Sequence, residues 1–168
     1  MRVQAFSLLA ALAVACGGIG PFDGSVYREG KIAFHAGPID PGWRRLEASQ
    51  GAIAFRDDAH GASIMVHARC DVPGDDAPLL ALTNHLVIGT TERDVKKEET
   101  LPFDGREARH TVLTAKLDGV AQTFDLWVMK KDGCVYDLVY IAAPERYEGG
   151  EPAYARFVEG FRTLAVNP

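Results

Sequence analysis

Residues 101–142 read LPFDGREARHTVLTAKLDGVAQTFDLWVMKKDGCVYDLVYIA, and most of the architecture can be read from them. The stretch holds three Asp-Gly pairs, Asp104-Gly105, Asp118-Gly119 and Asp132-Gly133, each flanked by strand-like sequence. Asp-Gly suits the two-residue type I′ turn, because both central residues of that turn need positive φ. Three such turns make four strands into an antiparallel meander. Register follows by counting outward from a turn. Across Asp132-Gly133, Lys131 falls opposite Cys134, Met129 opposite Tyr136, Trp127 opposite Leu138 and Asp125 opposite Tyr140. On the other face Val128 meets Asp137, Leu126 meets Val139 and Phe124 meets Ile141. Both faces are apolar. A sheet with one wet face alternates cleanly, so these strands are expected to be covered on both sides, and helices are the expected covers.

Two helices are available for that role. Pro78 to Ile88 is preceded by Asp75 and Asp76 and followed by Gly89, which suit its two ends, and Leu79, Leu82 and Leu86 form its apolar stripe. The second runs from about Pro152 to Phe161, with Tyr154, Phe157, Val158 and Phe161 on one face. Upstream, Trp43–Leu46, Ala52–Arg56 and Ser63–Cys70 read as strands, with a turn at Asp57-Asp58-Ala59-His60-Gly61. In the third of these, Ile64, Val66, Ala68 and Cys70 point one way and Met65, His67 and Arg69 the other. The fold class is α+β: a central antiparallel meander covered by helices.

The order of elements carries a resemblance. A strand near Lys31–Phe34 precedes Pro41-Gly42-Trp43. After the short strands and first helix come Leu101-Pro102-Phe103-Asp104-Gly105-Arg106-Glu107-Ala108, the Asp-Gly hairpins, and a closing helix with Phe157 and Gly160-Phe161-Arg162. Over roughly residues 31–164 this resembles the PsbP-like superfamily, which includes DcrB-like bacterial lipoproteins and the eukaryotic Ran-binding Mog proteins. The resemblance implies a PsbP/Mog-like sandwich of sheet and helices. It also implies a binding or assembly role at membranes or on protein partners. It carries over no catalytic residue.

The N-terminus reads as an address. Arg2 is the only charge before Asp23, and an apolar run follows at residues 5–15. Eleven residues make about 16 Å of helix, too short for the ~30 Å of a membrane core, so the run reads as a secretory signal. Leu12-Ala13-Val14-Ala15-Cys16 looks like a bacterial lipobox, which implies cleavage before Cys16 and lipid attachment to it. A plain signal peptide with a chance cysteine, or an uncleaved anchor, are the alternatives. On the lipobox reading residues 1–15 are the signal, residues 16–30 a lipidated cysteine with a glycine-rich flexible tether, and residues 31–164 the single domain. Gly17 and Gly18 after the cysteine favour the periplasmic face of the outer membrane, by resemblance to enteric lipoproteins.

Loss of Arg2 would move the net charge from −5 to −6, and an acidic chain is a poor nucleic-acid binder by charge. Of three cysteines, one is then taken by lipid. Cys70 and Cys134 remain, a pair expected to form a disulfide in an oxidising compartment; two separate buried thiols are the alternative.

Motifs of chemistry are scarce. The chain has no phosphate-binding glycine loop, Cys-x-x-Cys, His-Glu-x-x-His or Gly-x-Ser-x-Gly. Its five histidines, His35, His60, His67, His85 and His110, show no metal-pair spacing, and His67 and Cys70 fall on opposite faces of one strand. The acidic clusters at Asp57-Asp58 and at Asp71, Asp75 and Asp76 lack calcium-loop spacing. The basic pairs Arg44-Arg45, Lys96-Lys97 and Lys130-Lys131 read as solvated, as does the mixed run Thr90–Thr100. Trp127, Tyr136 and Tyr140 form a candidate apolar binding patch if they are incompletely covered. The sequence therefore points to a lipid-anchored, non-enzymatic binding or assembly module for another envelope protein, without cofactor or metal and with no nucleic-acid partner. A small-molecule carrier with a pocket between sheet and helix is the alternative. A hydrolytic enzyme, with a histidine near a cysteine or carboxylate in a cleft, is a third.

Overall fold

In the computed structural model residues 21–166 are described. All three Asp-Gly pairs form the expected turns: Asp104, Asp118 and Asp132 lie at φ 45°, 51° and 52°, and Gly105, Gly119 and Gly133 are also positive. They join β6 (Thr90–Phe103), β7 (Arg106–Leu117), β8 (Val120–Lys131) and β9 (Cys134–Ala142) into the meander. The β8–β9 register matches the count at every expected pair. Upstream lie β1 (Val26–Glu29), β2 (Ile32–His35), β3 (Arg44–Leu46), β4 (Ala52–Asp57), β5 (Ala62–Cys70) and α1 (Leu79–Leu86). Downstream lie α2 (Tyr147–Gly160) and β10 (Arg162–Thr163). The main sheet is antiparallel with order β3-β4-β5-β9-β8-β7-β6, and β1, β2 and β10 form a second, small sheet.

The two apolar faces of the main sheet are covered by different elements. Ile64, Val66, Met129, Tyr136, Leu138 and Tyr140 pack beneath Phe34 of β2 and beneath Tyr154, Phe157 and Phe161 from α2 and its end. On the opposite face Leu113, Phe124, Leu126 and Val139 pack with Val87, just past α1, and Val128 and Val135 pack with Leu82. One cover is thus a helix and the other a helix plus a small sheet, giving α+β layering.

The ordered fold begins earlier than the sequence indicated. Part of the segment read as tether forms β1, which pairs with β2, and Phe22 and Tyr27 are buried. The glycines of that segment masked two aromatic anchors: Phe22 packs edge-on against Phe55, and Tyr27 stacks on Phe34 with centroids 5.1 Å apart. Cys16, the signal and the first part of the tether lie outside the described residues.

Two further boundaries differ. The charged run Thr90–Thr100 belongs to a 14-residue edge strand, mostly exposed and broken by two register irregularities. It lacks apolar alternation because nothing covers either side there. Helix α2 starts at Tyr147, ahead of the expected Pro152, and runs through Gly149, Gly150 and Pro152. These residues resemble breakers, but Gly150 is required by contact: a Cβ there would sit 2.5 Å from the Tyr140 hydroxyl, whereas one on Gly149 would meet only the half-exposed His60 ring. Pro152, the sixth residue of α2, gives up the intrahelical hydrogen bond its N–H would have made to the Glu148 carbonyl.

Cys70 and Cys134 are disulfide-bonded, and they are also direct register partners between β5 and β9. The bridge spans 64 positions of chain. Replacing both cysteines with serine is expected to lower unfolding stability by about 4 kcal/mol on the chain-entropy model. Guanidinium titration of the wild type and the double variant, each compared with and without reductant, checks this: reductant should shift only the wild type.

Candidate binding cleft

The Asp118-Gly119 turn sets His110 of β7 opposite Trp127 of β8, and their rings stack with centroids 4.2 Å apart at 16°. The β6–β7 register sets Glu99 directly beside His110. These pairings bring ionisable groups onto the face that α2 covers. His110 Nε2 lies 2.9 Å from Asp125 Oδ1, and Nδ1 lies 3.2 Å from Glu99 Oε1. Tyr147, at the start of α2, donates its hydroxyl to Asp125 Oδ2 at 2.8 Å. His110 and Asp125 are only 7% and 4% exposed.

Each ring nitrogen of His110 thus faces a carboxylate oxygen, and buried Asp125 is held by two side chains, His110 and Tyr147. Lys97, 2.5 Å from Glu99, completes the row. The Lys97 and His110 contacts hold the Glu99 carboxyl below the usual range. Burial, and next the Asp125 charge, push the Tyr147 phenol up, so it remains a donor.

Above this cluster lies an open cleft of about 770 Å³ between α2 and the β6–β8 side of the sheet. Phe103 and Trp127 form its aromatic wall, with centroids 5.2 Å apart. Helix α2 contributes Glu151, Tyr154, Val158 and Glu159. Tyr154 stacks on Tyr140 at 5.3 Å and is 1% exposed. Its hydroxyl, on a residue lining the cleft, finds no hydrogen-bond partner among the described residues. Burial raises this phenol well above its ordinary pKa, so it too keeps its proton.

Asp104 closes one end. Its carboxylate accepts from the Thr163 N–H at 2.9 Å, the Thr163 hydroxyl at 2.6 Å and Lys131 Nζ at 2.9 Å. A turn residue thereby ties the β6–β7 hairpin to β8 and β10. Burial pulls the Asp104 carboxyl up, but the Thr163 and Lys131 bonds outweigh it and leave it lowered.

The expected patch of Trp127, Tyr136 and Tyr140 does not form on the surface. Tyr136 and Tyr140 are 3% and 0% exposed. Tyr136 meets Phe34 and Phe161 edge-on, and Tyr140 lies under α2. Only Trp127, where the cover gives out, lines the cleft. His67 and Cys70 fall on opposite faces of β5, and the bonded cysteines hold no free thiol. Among the described residues no group of three or more His, Cys, Asp or Glu is placed to hold a metal, and no helix is long and apolar enough to cross a membrane. The cluster of Glu99, His110, Asp125 and Tyr147, with Tyr154 beside it, was not singled out in sequence.

Solved structures share this fold. The solution structure of cyanobacterial PsbP (CyanoP) from Synechocystis sp. PCC 6803 matches with a TM-score of 0.57 at 15% identity, covering 89% of this chain and 98% of that one. The chain has a PsbP-like fold. Two other neighbours agree. One is a protein of unknown function from Pseudomonas aeruginosa, PA94, a putative regulator, with TM-score 0.51, 16% identity and coverage of 86% and 97%. The other is LpqN, involved in cell envelope biogenesis of Mycobacterium tuberculosis, with TM-score 0.56, 14% identity and coverage of 79% and 85%. No protein-family model and no curated protein matches the sequence. At these identities what is shared is the PsbP-like architecture, and the cleft is described from this chain's own residues.

Two outcomes follow for the PsbP-like domain. His110→Ala removes one of the two side-chain partners of buried Asp125 and should cost about 1 to 3 kcal/mol; adding Asp125→Asn should recover part of that in urea unfolding. Asp104 has a lowered folded pKa, so its contribution is present at neutral pH and is lost as pH falls through the carboxylate range, about pH 4 and below. Asp104→Asn should therefore be less stable than wild type at pH 7, with the gap in urea midpoints closing on acidification.

Proposed function

We propose that the protein is a membrane-anchored envelope lipoprotein that binds another envelope protein without doing chemistry on it. The cleft carries the reading. It offers an aromatic wall, a buried ionic floor and an unpartnered hydroxyl, which are features of a recognition site. The floor includes a histidine beside carboxylates, an arrangement that a hydrolytic enzyme could use. Both ring nitrogens of His110 are already engaged, however, so neither is free to take a proton from a substrate. Disulfide bonding also removes Cys70 and Cys134 as nucleophiles. These facts favour binding over catalysis.

Acylated Cys16 would hold the domain at the membrane, since several acyl chains anchor firmly where one is reversible. Confinement raises local concentration, so modest affinity suffices for a partner in the same membrane. The involvement of LpqN in cell envelope biogenesis, together with the lipobox-like stretch Leu12–Cys16 of this chain, supports placing the module in the envelope.

A second reading is a small-molecule carrier using the same cleft, whose volume falls in the range of small-ligand pockets. A photo-crosslinking residue at Glu159, compared with one at the exposed Leu80 of α1, separates the two in intact cells. A discrete protein adduct from position 159 alone is expected. A small ligand retained through purification, with no position-specific adduct, would favour the carrier. Labelling with a radioactive fatty acid should mark the wild type and not Cys16→Ala; an unlabelled wild type removes the anchor from the proposal.

A further inference from the structure

The ionic character of the cleft limits what it can hold. Four carboxylates line it, those of Asp104, Asp125, Glu151 and Glu159, against Arg162 and His110. Asp104, Asp125 and His110 are committed to partners within the protein. Arg162 is turned to the backbone carbonyl of Glu159, at 2.8 Å, and to that of Phe161. Glu151 is half-buried and takes part in no ion pair among the described residues. A carboxylate with no cation beside it is a place where an incoming cation gains a partner. The hydroxyl of Tyr154, one helical turn along the same side of α2, is a second unpaired polar group and is almost fully buried. A carboxylate only accepts hydrogen bonds, and a phenol can accept one as well as donate. The groups left unsatisfied can therefore be served together by a donor carrying positive charge. Beside them, Phe103, Trp127 and Val158 offer apolar surface that would pack an aliphatic stem.

We infer that the cleft recognises an ammonium group on an aliphatic stem, with the ammonium at Glu151 and Tyr154 and the stem along Phe103, Trp127 and Val158. This rests on the cleft being a binding site, as proposed above, and adds the chemistry of what it binds. That chemistry has two sources, a lysine side chain presented by a polypeptide or a free aliphatic amine. Both would bind more weakly as salt rises, because the pairing at the cleft mouth is open to screening.

The test uses the full chain in detergent micelles and follows the indole N–H resonance of Trp127 by NMR, assigned with Trp127→Phe. Four probes share similar stems: diaminopentane, a lysine blocked at both backbone ends, pentanol and pentanoate. The expected result is a saturable shift with one or both ammonium probes and none with pentanoate. Stronger binding of the blocked lysine points to a polypeptide source, and stronger binding of diaminopentane to a free amine. Glu151→Gln should weaken the response about tenfold, the size of a lost charge-assisted hydrogen bond. Tyr154→Phe should weaken it less while leaving unfolding stability unchanged or higher, because it removes a hydroxyl that has no partner in the free protein. Equal responses to pentanol or pentanoate, or a Glu151→Gln variant that binds ammonium as the wild type does, overturn the charge assignment while leaving the cleft a binding site. Silence with all four probes overturns the assignment and removes small-group binding from the cleft.

Discussion

Register is the constraint on which the rest of this molecule depends. Three two-residue turns, each with two residues at positive φ, leave the meander no freedom to slip. With β8 held by its pairing to β9, a shift of one residue at Asp118-Gly119 would turn His110 to the α1 face, away from Trp127 and Asp125. With the turns as they are, every ionisable group of the cleft floor falls on the side where α2 can meet it, and the opposite side stays dry around Leu113, Phe124 and Leu126.

The cleft exists because the cover on that side is made of separate pieces. Helix α2 and the small β1-β2-β10 sheet cover β5, β9 and part of β8, while β6 and β7 extend past them. Asp125 sits where the cover ends. Its burial is sustained by hydrogen bonds to His110 and Tyr147, so its position is fixed from within the protein. The Asp104 carboxylate fixes the opposite end by joining a hairpin turn to Thr163. A cleft with both ends pinned would lose little entropy on taking up a ligand, which suits the binding role proposed above.

Much of this was legible in the sequence, and what was missed has physical reasons. Asp-Gly turns and apolar pairing across β8 and β9 are local signals, so the meander, its register and its double burial could be counted. The strand at Val26–Glu29 was hidden because its stability comes from Tyr27 meeting Phe34, a contact that glycine-rich surroundings do not announce. Gly149 and Gly150 read as helix breakers, because nothing local reveals that Tyr140 and His60 lie against them. The disulfide was legible as an even pair, but its role as a cross-strand partner needed β5 placed beside β9. The binding patch was misplaced for a related reason. Strand pairing put Trp127, Tyr136 and Tyr140 on one face, yet how far α2 and β2 reach across that face is a tertiary fact. His110 could have been found, since counting from Asp118-Gly119 puts it opposite Trp127. Glu99 could have been counted as well, since the pairing runs unbroken from Asp104-Gly105 to Lys97 and sets it opposite His110; what no count predicts is that Tyr147 of α2 reaches Asp125.

Strand β6 has a consequence for how this protein can meet others. It is the long free edge of the main sheet, and such an edge can template strand addition and self-association. Here it carries Lys96, Lys97, Glu98 and Glu99 in a row and is interrupted at two places in its register. A second backbone laid along it would have to desolvate those charges and follow the kinks. Crowding many copies onto one surface therefore need not polymerise them. Strand addition along this edge is thus disfavoured, and any association would have to be made through side chains.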